Sequence, residues 1–184
     1  MTDLYLCVPN DNPYYMYCDL AYKYNERVPE ERDSGFDVYC ADDVPMSVGD
    51  TAFLKFGIES SCAVKVRSPV AGGATLEPCA TLEPRATLEP RAFWLMPRSS
   101  ISKTNFICAN SQGLIDSGYR GPLMGAVKKL FGEPEAIKAG IRLFQIVSGS
   151  AKPWRKIVVV RTVEEFPKPT SVRGTGGFGS TGTC

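Results

Sequence analysis

A chain of 184 residues, 43% hydrophobic and 22% charged, has the length and composition of one globular domain with a proper core. Lysines and arginines number 21 against 20 aspartates and glutamates, a net +1 without the basic excess of a nucleic-acid binder, so no direct nucleic-acid binding is expected. No apolar run approaches the roughly 20 residues of a membrane span, and the complete lack of histidine excludes His-based catalytic triads.

The opening MTDLYLCVPNDNPYY has neither the basic start nor the apolar stretch of a secretory leader. Seven cysteines, at 7, 18, 40, 62, 79, 108 and 184, form no C-x-x-C pair, which disfavours a zinc finger and fits a reducing compartment. The expectation is an intracellular protein of cytoplasm or nucleus, not a secreted one.

A tyrosine-rich helix is expected near 14–24. GFDVYCA (35–41) and AFLKFGI (52–58) then read as strands, short and apolar, bounded by Pro, Gly, Asp and Ser clusters. From Ala74 to Arg91 one hexad repeats as ATLEPC, ATLEPR and ATLEPR. A proline at every sixth position forbids a long helix or an interior strand and shields the segment from edge pairing. It reads as an extended surface insertion, with a partner-binding loop as the alternative.

AFWLM (92–96) reads as the next strand, and MPRSS (96–100) ends it with Arg98, Ser99 and Ser100, which suit a helix cap or an anion. GLIDSGYRGPL (113–123) sets Asp116, Tyr119 and Arg120 around a turn between two β-like runs, and a bare hairpin accounts for it taken alone. A helical turn is expected around 134–139. IRLFQIV (141–147) reads as a strand with Arg142 and Gln145 on one face, and KIVVVRTV (156–163) as the last strand. The end, RGTGGFGSTGTC, holds five glycines between Arg173 and Gly182, so it should stay mobile without a partner. The sum is all-β, a sandwich or barrel with little helix: one β domain over 1–172 with the insertion at 74–91, then a mobile arm over 173–184.

Five stretches in order carry a resemblance. SGFDVYCADD (34–43), PRSS (97–100), GLIDSGYRG (113–121), GIRLFQIV (140–147) and RGTGGFGSTG (173–182) make the chain similar to the homotrimeric dUTPase family, the dUTP nucleotidohydrolases. The resemblance implies a jelly-roll-like fold and a homotrimer whose active sites are shared between subunits. It also implies Mg²⁺-assisted hydrolysis of dUTP to dUMP and pyrophosphate, which supplies dUMP and keeps uracil out of DNA. A dCTP deaminase of the same superfamily, a non-catalytic binding module and a purely structural β domain are the alternatives.

On this resemblance Asp116 is the base that activates the attacking water. Asp37 holds the metal through a water, while the triphosphate supplies most of its oxygens, as Mg²⁺ prefers. Arg98, Ser99, Ser100 and Gln145 match phosphate-contacting positions, although Ser100 stands where many members have glycine. Gly113 and Met124 match the hairpin positions whose backbone pairs with the uracil edge. Asn110 matches an amide set against uracil O4 in some members, and Tyr119 packs under the deoxyribose. In the arm, Phe178 stacks on the base, Arg173 meets the γ-phosphate, and Gly179, Ser180 and Thr181 add phosphate donors. Glycines let backbone amides approach phosphate closely, and arginine offers a planar fork matched to it.

Overall fold

Alternation of apolar and polar residues becomes thirteen strands and one α-helix in the computed structural model, which describes residues 1–67 and 87–167. In chain order these are β1 (Thr2–Cys7), α1 (Asp11–Glu26), β2 (Gly35–Val38), β3 (Val44–Met46), β4 (Thr51–Lys55) and β5 (Ser60–Arg67). Then follow β6 (Thr87–Arg91), β7 (Phe93–Pro97), β8 (Phe106–Cys108), β9 (Gly113–Ile115), β10 (Met124–Lys129), β11 (Glu135–Ile137), β12 (Phe144–Ser148) and β13 (Lys156–Val160). The expected all-β class stands, with α1 added where the tyrosines lie.

Two four-stranded sheets, ordered β13-β1-β5-β6 and β2-β12-β7-β9, are joined by a three-stranded sheet β4-β10-β8 and the pair β11-β3. Pairing is antiparallel among the described strands except between β1 and β13, where Leu4 lies opposite Ile157. Inward residues of the sheets, among them Leu4, Leu6, Phe93, Phe144 and Ile146, are nearly inaccessible and share one core with Phe56 and Trp154.

Helix α1 buries Tyr17, Ala21 and Tyr24, spaced i, i+4, i+7 on one face. Tyrosine suits this face because its ring is apolar and its hydroxyl can satisfy backbone groups left over by loops. Tyr17 Oη donates to Phe56 O at 3.1 Å and accepts from Tyr39 N at 3.1 Å. Tyr24 Oη donates to Asp33 O and accepts from Trp154 N, both at 2.9 Å. Burial pushes the Tyr17 phenol well above its ordinary range, so it stays a neutral donor. Asp11 in the first turn and Lys23 in the last both complement the helix dipole.

Three expectations need correction. Residues 135–137 form strand β11, not a helical turn, because Ile137 is buried and three backbone positions pair with β3. The third hexad is not kept from pairing: Thr87–Arg91 forms β6 against β5, with Pro90 opposite Val64. An edge strand is the place in a sheet where a proline costs no ladder bond, and Leu88 packs beside the small cluster of Cys7, Cys62, Val160 and Phe166. Finally, β9 and β10 are not the two arms of one hairpin. β9 bonds to β7, whereas β10 bonds to β4 and β8, so the chain between them crosses from one sheet to another. The first two hexads and the arm from 173 lie outside the described residues. Among the described residues no helix is long and apolar enough to cross a membrane.

Candidate active site

Alternation along β2 sends Phe36 and Val38 into the core and leaves Gly35 and Asp37 on the other face. Register then fixes the neighbours. Asp37 lies opposite Gln145 on β12, and Gln145 lies opposite Met96 on β7. Arg98 follows β7 directly, its N–H donating to Leu143 O at 2.8 Å, and the 3-10 turn Ser99–Lys103 starts behind it.

These residues meet around one carboxylate. Asp37 Oδ1 accepts from Arg98 Nε at 2.8 Å, and Oδ2 accepts from Arg142 Nη1 at 3.1 Å. The Arg142 guanidinium also lies over the Tyr39 ring, 5.6 Å from its centre. Gln145 Nε2 reaches Pro97 O at 3.5 Å. Gly35 leaves space for it: a Cβ there would sit 1.9 Å from Gln145 Oε1. The result is a cleft of about 540 Å³ lined by Asp37, Arg98, Ser99, Arg142 and Gln145 on the sheet side and by α1 opposite. Ser100 opens the same 3-10 turn as Ser99. Arg142 was read as a strand residue in the sequence. It precedes β12, beyond the left-handed Gly140, which frees its side chain to reach Asp37.

The residues expected around base and sugar gather elsewhere. Asn110 follows β8, Gly113 begins β9 and Met124 begins β10, with Ala109 N bonded to Ala126 O at 2.8 Å across the gap. Asn110 Oδ1 accepts from Cys108 Sγ at 3.1 Å, and a Cβ on Gly113 would lie 3.9 Å from Asn110 Nδ2. Ser111 takes a left-handed φ of 59° to make the turn between them. The following loop is held by its own bonds. Tyr119 N donates to Asp116 O at 3.0 Å, and Tyr119 Oη donates to Pro122 O at 2.9 Å. Arg120 Nη1 donates to the carbonyls of Ser117 and Tyr119. The Tyr119 ring is 8% exposed and belongs to the core cluster.

The two groups do not meet within the chain. Ile115 lies opposite Phe93, so Asp116 falls level with Ala92, four residues along the sheet from the level of Met96, Gln145 and Asp37. That is about 13 Å along the strands and about 14 Å across the three strand spacings from β9 to β2, roughly 20 Å in all. A general base must lie within hydrogen-bond reach of the proton it takes. Arg173, Phe178, Gly179, Ser180 and Thr181 lie outside the described residues.

One carboxylate already paired with two arginines does not make a protein-built metal cage, so a divalent cation here would need phosphate oxygens for most of its ligands. Among the described residues no three His, Cys, Asp or Glu side chains converge on a metal-sized point.

Comparison with known proteins finds that the sequence model of the dUTPase family matches residues 85–182. Deoxyuridine 5'-triphosphate nucleotidohydrolase of Shewanella amazonensis is 39% identical over 94 residues, covering 48% of this chain and 55% of that protein. The protein of the same name from Rhizobium rhizogenes is 36% identical over 89 residues, covering 48% and 53%. The chain thus spans about half the length of the curated relatives it matches. Among solved structures, dUTPase from Streptococcus mutans superposes with a TM-score of 0.45 at 18% identity, covering 70% of this chain and 84% of that one.

Proposed function

The chain belongs to the dUTPase family, and on that footing we propose that it hydrolyses dUTP to dUMP and pyrophosphate by attack of water on the α-phosphorus. The observation that carries the proposal is the cleft. Asp37, Arg98, Ser99 and Gln145 come from three separate stretches of sequence, and the sheet register brings them to one face. Phosphate oxygens entering this cleft would draw Arg98 and Arg142 from Asp37, exchanging one anion for another. Ser99, Ser100 and Gln145 would add neutral donors.

Bound with the triphosphate, Mg²⁺ would neutralise phosphate charge and favour departure of pyrophosphate, and Asp37 is the residue that would hold it through a water. Asp116 would accept the proton of the attacking water, a role a carboxylate can fill in a chain without histidine. Uracil would be read at Asn110, Gly113 and Met124, where the turn after β8 and the starts of β9 and β10 present backbone groups. Tyr119 would back the deoxyribose, its own position fixed by the bond to Pro122 O. From the arm, Phe178 would stack on the base, while Arg173, Gly179, Ser180 and Thr181 would close over the phosphates.

The distance of roughly 20 Å between Asp116 and the Asp37 cleft supports a homotrimer in which each site combines these groups from different subunits. Pyrophosphate release from dUTP, with dTTP, dCTP and UTP run alongside, tests the function. Release from dUTP far above the other three is expected. No release, or equal release from dTTP, would contradict it, and ammonia in place of pyrophosphate would indicate a deaminase.

A further inference from the structure

Helix α1 lies outside the family-matched residues 85–182, yet it forms one wall of the phosphate cleft. Leu20, Lys23 and Tyr24 line it from one face of α1, spaced three and four apart, and Arg27, the extended residue that caps the helix end, lines it beside them. Tyr24 is anchored in the core by two hydrogen bonds, so this face is held against the domain. Arg32 clamps the end of the helix, with Nε donating to Arg27 O at 3.0 Å and Nη2 donating to Asn25 O at 2.7 Å.

The charges at the cleft are unequal. Lys23, Arg27, Arg98 and Arg142 face it against the carboxylates Asp33 and Asp37. Arg98 and Arg142 are both committed to Asp37. Lys23 pairs with Asp19 at 2.6 Å and Arg27 with Asp33 at 2.8 Å, and their side chains are 66% and 49% exposed. Such surface pairs contribute little and exchange readily for a stronger anion. The C-terminal end of a helix repels anions by its dipole, so these side-chain cations are what makes this wall attractive to phosphate.

We propose that Lys23 and Arg27 bind the distal phosphates of the nucleotide, making α1 a cationic clamp that selects triphosphate over monophosphate. The proposal rests on reading the cleft as the triphosphate end of the site. It adds to that site two residues that none of the five family-like stretches contains.

The test uses the full chain and the variants Lys23→Gln, Arg27→Gln, their double and the charge-preserving Lys23→Arg. Dissociation constants are measured by calorimetry at several salt concentrations for inorganic tripolyphosphate, α,β-imido-dUTP and dUMP. Helicity by circular dichroism checks that α1 is intact. The double variant should bind tripolyphosphate and imido-dUTP on the order of 10-fold more weakly, as expected for lost charge-assisted bonds, with a shallower salt dependence. Its affinity for dUMP should be unchanged, and Lys23→Arg should bind like the parent. Unchanged tripolyphosphate affinity in the double variant would overturn the clamp, as would an equal loss for dUMP or a parent that binds no tripolyphosphate. A parent that binds tripolyphosphate through α1 but not imido-dUTP would leave the clamp standing and overturn the dUTP reading instead.

Discussion

Asp116 sits where β9 ends and the chain crosses to another sheet, in a loop braced by Tyr119 and Arg120. Asp116→Asn keeps the shape of that loop and removes the proposed base, so turnover of dUTP should fall by about 10²–10⁴-fold. Affinity for imido-dUTP should stay near the parent's. Steady-state kinetics and calorimetry check both halves. A second carboxylate acts on stability alone. Lys129 is completely buried, over the Phe106 ring at 5.0 Å, and its ammonium pairs with Glu135, which also accepts from Asn105 Nδ2 at 2.9 Å. These bonds, Lys129 first and Asn105 second, hold the Glu135 carboxyl below its ordinary value. A carboxylate with a lowered folded pKa contributes stability that is full above its unfolded value and lost as pH falls through the folded one. Acid titration of the melting temperature should therefore show a loss below the ordinary glutamate range. Glu135→Gln should be less stable at neutral pH, since it leaves a buried cation without its counter-charge, and should lose that part of the acid dependence.

At the scale of elements, the tyrosine stripe made α1 legible, since its spacing matches the buried face of Tyr17, Ala21 and Tyr24. Strands β2, β4, β7, β12 and β13 were legible from apolar runs for a similar reason. Strand β5 was not, because it opens on Ser60 and Ser61, serines that look like a turn and are buried at 1% and 0% exposure. Nor was the bond of β1 to β13, which joins the two ends of the described chain and depends on no local pattern. The hairpin expectation at Asp116 failed because local turn chemistry says nothing about which sheet the next strand joins. The hexads show the same limit. The third copy pairs with β5 although it carries a proline. Deleting residues 74–85 removes two copies and keeps β6, so it should leave dUTP turnover intact. Stability should change by no more than about 1 kcal/mol, since loop length enters only logarithmically. Extending the deletion through Arg91 would strip the edge of β5 and uncover Leu88's neighbours. That longer variant should melt lower than the first, a comparison that thermal unfolding decides.

In the whole molecule, the family-like stretches among the described residues fall into two groups that the sheet holds apart. Resemblance pointed to Asp37, Arg98 and Gln145, and the register shows why they stand together on one face. The cations of α1 were not legible, because a lysine and an arginine in a helix read as ordinary solvated charge until the helix is seen to wall the cleft. The separation of Asp116 from that cleft was equally invisible, since it follows from the pairing of β9 with β7. A site assembled from two subunits turns this separation into a requirement for oligomerisation. Arg98→Ala should disable the phosphate half and Asp116→Asn the base half, each leaving only a small fraction of the parental turnover.

Mixing two disabled variants decides whether dUTP is hydrolysed at sites shared between subunits. The Asp116→Asn and Arg98→Ala variants are unfolded together in equal amounts, refolded, and assayed for pyrophosphate release from dUTP. Random assembly puts an intact Asp116 beside an intact Arg98 cleft in about a quarter of shared sites, so the mixture should recover about a quarter of the parental rate while each variant refolded alone keeps only its small residual turnover. A mixture no more active than the two variants measured separately would contradict shared sites.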